Sequence, residues 1–574
     1  MWDWEDGYNY NRLGLQAQTT LEPSTSRSVR RLVPRIFQAM GWLVVLWADF
    51  SPAYSPASAE LPPGASGFSR GLLNFIILPA SAPFPRVAVW TAVLISAAGL
   101  ALMAAPTPSS RFRRFLWIAE LAGTTFLSAV AIAPYLTSFR IVLMPRTFVL
   151  MTLLACSRAL PLLGVVGERL HLASAKRAPI VAGLVAGAFF ASAAWHALTQ
   201  FEGNYTGFLH MSRRIADRAP MLHEPSQLWR SIVTGDEGYD GQFMYLMAFD
   251  PLLDRYKDRP QMYGTFIDLP PYRYGRIGFS ALVYLVSGGR PEWFPQAMIW
   301  LLIAAHATIA AGLAVLAQRE HKSPWLALWY LAIPAFMPSF LSALPEALAA
   351  AAVVVGLICW RARRDWWAAL AFVGALLIRE TSAVLLIALV VASGTERRRA
   401  IRLAVIAVLP LVAWRVFVAF RLYPESGSRA GFGTQYSFGV PLVGLLQLWR
   451  AGLSHAQAAS EIPGALTYPW ILAASAAIAG WAVVARRGTI AVAAVVYAAM
   501  AVSLNYWSVL HHLPSGERVT FELFLCLLLL RIEAPAQPRA LGRALNALFV
   551  VLAVYTFTVA PDAWMSRAAT GMIR

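Results

Sequence analysis

The apolar residues of this chain fall in long blocks, such as 294–317, 401–420 and 540–560. Each block is close to the roughly 20 residues that a helix needs to cross a hydrocarbon core. Backbone groups in lipid find no water to bond, so blocks of this kind must be helical. Composition agrees: 58% of the 574 residues are hydrophobic and 14% are charged, with mean hydropathy +0.55. Soluble domains carry roughly a quarter charged residues. The expectation is an all-α polytopic membrane protein.

Spanning segments are expected near 36–50, 85–105, 115–135, 142–165, 178–198, 294–317, 324–341, 346–361, 365–378, 381–395, 401–421, 467–486, 488–508, 519–533 and 540–560. Residues 71–83 and 276–290 read as short segments that do not fully cross. With residues 1–35 placed inside, the inner loops carry Arg111, Arg113 and Arg114, then Arg169, Lys176 and Arg177. Arg319 with Lys322, Arg361–Arg364, Arg397–Arg399, Arg486 with Arg487, and Arg531, Arg539 and Arg543 follow on the same side. Every inner loop is then basic, as the positive-inside rule asks. Residues 1–26 are polar and no cleavage site follows them, so the first apolar segment reads as a retained anchor rather than a signal peptide.

The net charge of +18 has the same origin. Basic loops set orientation and hold anionic lipid headgroups, so nucleic acid is not the implied partner. Cys156, Cys359 and Cys526 all lie in apolar blocks, without metal-ligand or disulfide spacing.

Two long polar segments, 199–275 and 422–466, fall outside in this topology. Loops of such length are usually functional, and the first is expected to carry short helices at the membrane surface. Seven residues that are costly in lipid reach the same outer face: Asp236, Asp240, Glu346, Arg379, Glu380, Glu517 and Arg518. Asp236-Glu237-Gly238-Tyr239-Asp240-Gly241-Gln242 places acids among glycines, which permit unusual backbone angles and close approach of a ligand. A carboxylate there can serve as a general base. The same string also suits a solvated turn. Tyr272-Arg273-Tyr274-Gly275-Arg276 offers forked cations for phosphate oxygens and rings for a sugar or lipid chain, or an interfacial belt. Glu346 follows Pro345 and reads both as a helix start and as a cavity-facing acid. Arg379-Glu380 interrupts an apolar run, as a local salt bridge or as part of a site. His511 and His512 are adjacent, which does not suit a helical metal pair. Asn204-Tyr205-Thr206 is a weak glycosylation signal, and Glu120 sits in an apolar segment without a partner in the sequence.

Several of these strings occur in a familiar order. Gly238-Tyr239-Asp240-Gly241-Gln242-Phe243, Ala248-Phe249-Asp250-Pro251 and Tyr272-Arg273-Tyr274-Gly275-Arg276-Ile277 resemble bacterial integral-membrane glycosyltransferases of the GT-C type. Asn204-Tyr205-Thr206-Gly207-Phe208, Pro345-Glu346-Ala347 and Arg379-Glu380-Thr381 fit as well, and the resemblance covers roughly 178–530. It implies a GT-C-like bundle, here of roughly 13–15 transmembrane helices at the usual span length. It also implies a polyprenyl-phosphate sugar donor and an envelope glycan, lipid or protein as acceptor. Transfer would take place on the non-cytoplasmic side of the bacterial cytoplasmic membrane. Asp240 would match the loop acid beside the acceptor, with Asp236 and Glu237 as rivals for the role of base. Tyr239, Gln242, Tyr272, Arg273, Tyr274, Arg276, Glu346, Arg379, Glu380 and Arg518 would line the substrate. A single carboxylate in one displacement implies inversion. A divalent cation bridging phosphate to Asp236 or Glu237 stays open. The implied organisation is a tail at 1–35, an extra membrane module at 36–170 with no counterpart, a catalytic membrane domain at 171–533, and a final helix and tail at 534–574. A transporter or flippase for a lipid-linked substrate is the rival expectation. It is disfavoured by the one-sided placement of the charges and the lack of an internal repeat.

Overall fold

The computed structural model describes residues 177–223, 228–422, 438–454, 461–485, 488–505, 509, 512–533 and 539–556. The chain divides into two units, 1–169 and 170–574, and every described residue belongs to the second. The segments expected before residue 177, together with Glu120 and Cys156, lie outside the described residues.

The described part is mostly helical, and four of its helices are long and apolar enough to cross a membrane. They run over Ala178–Thr199, Pro291–Arg319, Gly394–Leu422 and Ile462–Ala485. Shorter apolar helices cover Asp365–Ile378, Glu380–Ala392, Thr489–Val502 and Ala540–Ala553. The Glu346–Arg361 and Phe521–Glu533 helices pack among them. Most expected segments are thus helices at the expected places, but many are too short to cross a membrane of ordinary thickness alone.

The Phe294–Arg319 helix lies at the centre, against Ala178–Gln200 on one side and Glu346–Arg361 on another. Small residues allow the close contacts. A β-carbon on Gly183 would stand 3.0 Å from the Ala307 carbonyl oxygen, and one on Gly312 would stand 2.5 Å from Val354. Tight packing through glycine and alanine is how helices adhere where lipid removes the hydrophobic drive. Arg397–Leu422 is peripheral, with only 17% of its apolar window buried, and exposes Val405, Leu409, Val412, Val416 and Phe420.

One expected span is not a single helix. Residues 324–341 form a 3₁₀ turn, Pro324–Ala332, and a separate short helix, Phe336–Leu341. Pro334 explains the break, because it forces Ile333 into extended backbone (ψ 113°) and supplies no amide proton. Residues 276–290 behave as expected for a segment too short to cross: the helix is Gly278–Val286, and Gly288 and Gly289 follow it with φ of 64° and 71°.

The polar segment 199–275 folds into short helices and turns, and a two-residue parallel pairing of Met211–Ser212 with Thr234–Gly235. Asp250 knits its far end. The carboxylate accepts the amides of Asp254 and Arg255 at 2.9 Å each, and the Tyr263 hydroxyl. In the sequon, Asn204 Oδ1 accepts the Thr206 amide and Nδ2 donates to the Ser231 carbonyl, so the amide caps a turn.

Candidate active site

Most charged side chains of the candidate site stand at helix ends. Glu346 is the first residue of the Glu346–Arg361 helix and Glu522 the second of Phe521–Glu533. Both carboxylates therefore sit at positive ends of helix dipoles. Arg379 follows the last residue of Asp365–Ile378, where a cation is favoured. Asp240 opens the Asp240–Ala248 helix, and Arg518 closes the short Leu513–Arg518 helix. Local dipoles thus favour Glu346, Glu522 and Asp240 before any pairing.

Folding then joins them into one chain of ion pairs. Arg273 Nε lies 2.7 Å from Asp268, and Arg273 Nη2 lies 2.8 Å from Asp240 Oδ1. Arg518 Nη2 lies 2.7 Å from Asp240 Oδ2, and Arg518 Nε is 3.4 Å from Glu346 Oε1. Arg379 Nη1 donates to the same Glu346 oxygen at 3.0 Å, while Arg379 Nε donates to Glu522 Oε1 at 2.7 Å. Thr381 Oγ1 donates to Glu522 as well, at 2.5 Å, and the Tyr497 hydroxyl donates to the Thr381 carbonyl at 2.8 Å. Glu346, Arg379 and Glu522 are buried, which such charges tolerate only when paired. Asp240 and Glu346 each bridge two arginines, and Asp240 is the more open, with 24% of its side chain exposed against 4% for Glu346; Glu522, paired with Arg379 alone, is 8% exposed.

Tyr239 flanks the open end. Its hydroxyl is 2.6 Å from Ser515 Oγ, which also meets His512 Nδ1 at 2.6 Å, and the Arg518 guanidinium lies over its ring. Burial would raise the Asp240 carboxyl, but Arg518 and then Arg273 overcome it and hold the group well below the ordinary carboxylate value. In this state Asp240 is an anion and a weak base.

Arg379 and Glu380 do not pair with each other. Arg379 is extended (φ −153°, ψ 109°), and its neighbour turns to a different partner. Glu380 takes a forked pair from Arg276, Nε at 2.7 Å and Nη2 at 2.6 Å, with Arg415 Nη2 at 3.7 Å. Tyr272 lies beneath Arg276. This second cluster stands beside the first in sequence, with no ion pair joining the two among the described residues.

Other sequence expectations change. Asp236 and Glu237 are exposed on the loop, and neither joins the ion pairs around Asp240. Gly238 and Gly241 do not use left-handed backbone. Packing alone calls for glycine at Gly241, since a β-carbon there would stand 2.3 Å from the Ser342 carbonyl oxygen. Gln242 is buried and accepts the Ser212 amide at 3.0 Å, which ties the short strand to the helix. Tyr274 is fully buried against Tyr263, so its ring packs inside the protein. Glu517 is buried too and accepts the Tyr555 hydroxyl at 2.6 Å. His511 lies outside the described residues. Cys359 and Cys526 are free thiols.

Glu522, Asp268, Ser515 and Arg415 were not singled out from the sequence. Glu522 carried a usable signal, because an acid one residue into an apolar helix is as costly as the others. Asp268 and Ser515 carried none, since polar loop residues are ordinary. Beyond Glu522 lies a small, mostly apolar crevice of about 10 Å³, bounded by Ala349, Val353, Leu385, Tyr497, Phe521 and Leu525 among others. Among the described residues no three His, Cys, Asp or Glu side chains gather as a metal site. No family model, no curated protein and no solved structure matches this chain.

Proposed function

We propose that this protein is an integral-membrane glycosyltransferase of GT-C type. It moves a sugar from a polyprenyl-phosphate carrier to an envelope acceptor at the outer face of the bacterial cytoplasmic membrane. The observation that carries the reading is the meeting of Asp240 with Arg273 and Arg518, at 2.8 and 2.7 Å, at the open end of a buried ion chain. A carboxylate able to take a hydroxyl proton and two forked cations suited to a phosphate leaving group share one spot. In the proposed arrangement Asp240 is the base, and Arg273 and Arg518 stabilise the departing phosphate. Arg379, Glu346 and Glu522 hold neighbouring helix ends together, and Glu346 also backs Arg518. Asp236 and Glu237 stand apart from the ion pairs, which favours Asp240 as the base.

The test is sugar transfer from a panel of polyprenyl-phosphate sugars by the purified full chain in nanodiscs. Asp240→Asn is expected to lower turnover by about 10²–10⁴-fold, the usual share of general-base catalysis. Equal turnover in both proteins would remove Asp240 from the role of base. Binding of the lipid with no transfer from any donor would favour a transporter or flippase.

A further inference from the structure

Asp240 has two jobs that conflict. A base must be free to accept a proton, yet both of its oxygens are held by guanidinium groups. The same two guanidinium groups are the ones placed to receive an incoming phosphate. Neither has spare charge. Asp240, Glu346 and Glu522 face Arg273, Arg379 and Arg518, so the buried cluster is neutral as it stands. Asp268, which also holds Arg273, is 53% exposed and largely solvated. A phosphate placed on Arg273 and Arg518 with Asp240 still paired would bring like charges together at short range. Two atoms mark where the arrangement can shift: Arg518 Nε and Glu346 Oε2 are buried without a hydrogen-bond partner among the described residues.

We propose, resting on the glycosyltransferase reading, that Asp240 is a built-in counter-ion which the donor phosphate displaces, so that the donor itself frees the base. The free enzyme then holds Asp240 masked between Arg273 and Arg518. Phosphate binding draws the two guanidinium groups off the carboxylate. By reciprocity the anion weakens the hold on Asp240 as much as Asp240 weakens the hold on the anion. In the transfer step the acceptor hydroxyl gives its proton to Asp240, and its oxygen bonds to the anomeric carbon. The carbon–oxygen bond to phosphate breaks with its electron pair on the phosphate oxygen. The charge gained there strengthens the pull of Arg273 and Arg518 as Asp240 becomes neutral. An acceptor arriving first would meet a masked carboxylate, so the order is donor before acceptor.

The experiment is anion binding, read without turnover. Inorganic phosphate and decyl phosphate are titrated calorimetrically into the full chain in nanodiscs, as wild type, Asp240→Asn and Asp240→Glu. Removal of the carboxylate charge should tighten binding by about tenfold or more, while Asp240→Glu should stay within about threefold of wild type. Asp240→Ser serves as the neutral variant if the Asn protein does not fold. Unchanged or weaker binding in the neutral variants would overturn the proposal. The readout is independent of the reaction: absence of transfer with any donor would sink the glycosyltransferase reading alone, and transfer with unchanged anion affinity would sink the masking alone.

Discussion

Two ends of the same helices carry arginine–carboxylate pairs, and they are built differently. At one end Glu346, Arg379 and Glu522 close on one another with side chains 4–10% exposed. At the other end of those helices Arg361 pairs with Glu533, Arg399 with Asp365 and Glu396, and Arg363 with Glu396. There the pairs of Arg363 and Arg399 each include a side chain 35–72% exposed, while Arg361 and Glu533 are 25% and 17% exposed. The Arg363 and Arg399 pairs are as short as those of Arg379, so distance does not separate them. Burial does. A buried pair loses several kcal/mol of solvation and holds only while complete, whereas an exposed pair contributes about 0–1 kcal/mol. The exposed end is also richer in basic residues, with Arg361, Arg363, Arg364 and Arg397–Arg399, the pattern expected of an inner face. The buried end is charge-balanced and neutral. In the proposed reading the buried end belongs to the site.

The largest expected effect is at the buried end. Arg379→Ala leaves Glu346 and Glu522 uncompensated and should cost about 3–5 kcal/mol, read as a loss of thermal stability in detergent. A melting temperature within error of wild type would erase the distinction between the ends. Glu522→Gln keeps the shape and removes one charge. It should cost about 1–3 kcal/mol, the penalty for weakening one buried partner, in the same melting assay.

The next prediction uses pH. The folded Asp240 carboxyl sits below its unfolded value of about 3.9. Its ion pairs therefore contribute in full above that value, and the contribution fades as pH falls through the folded value. Melting temperature followed from pH 6 downward should drop for the wild type below about pH 4, and less steeply for Asp240→Asn. Parallel profiles would show that Asp240 is not held as an anion by its arginines. The smallest effect is expected at the exposed end, where Arg363→Ala should change stability by about 1 kcal/mol or less and fade further in high salt.

Much of the buried end was legible as a set of costs. Asp240, Glu346, Arg379 and Arg518 were conspicuous because each interrupts or borders apolar sequence. The same reasoning applied to Glu522 would have completed the cluster. Pairings were not legible. Arg379 and Glu380 are adjacent, yet an extended residue between two helices sends them to different partners, Glu346 with Glu522 in one case and Arg276 in the other. Gly241 suggests unusual backbone angles in the sequence, but its φ is ordinary and what it makes room for is the Ser342 carbonyl, about a hundred residues away in sequence. Residues 324–341 were read as one apolar span although Pro334 stood in the middle, because hydropathy does not register a missing amide proton.

The sequence by itself determined the helical, membrane-directed character of the chain and the ends at which its charges lie. Those properties follow from solvation, which each residue carries with it. Which acid meets which arginine, and that Asp240 rather than Asp236 or Glu237 joins the ion chain, was decided only in three dimensions. Pairing depends on distances between segments far apart in the chain, and only packing sets those distances.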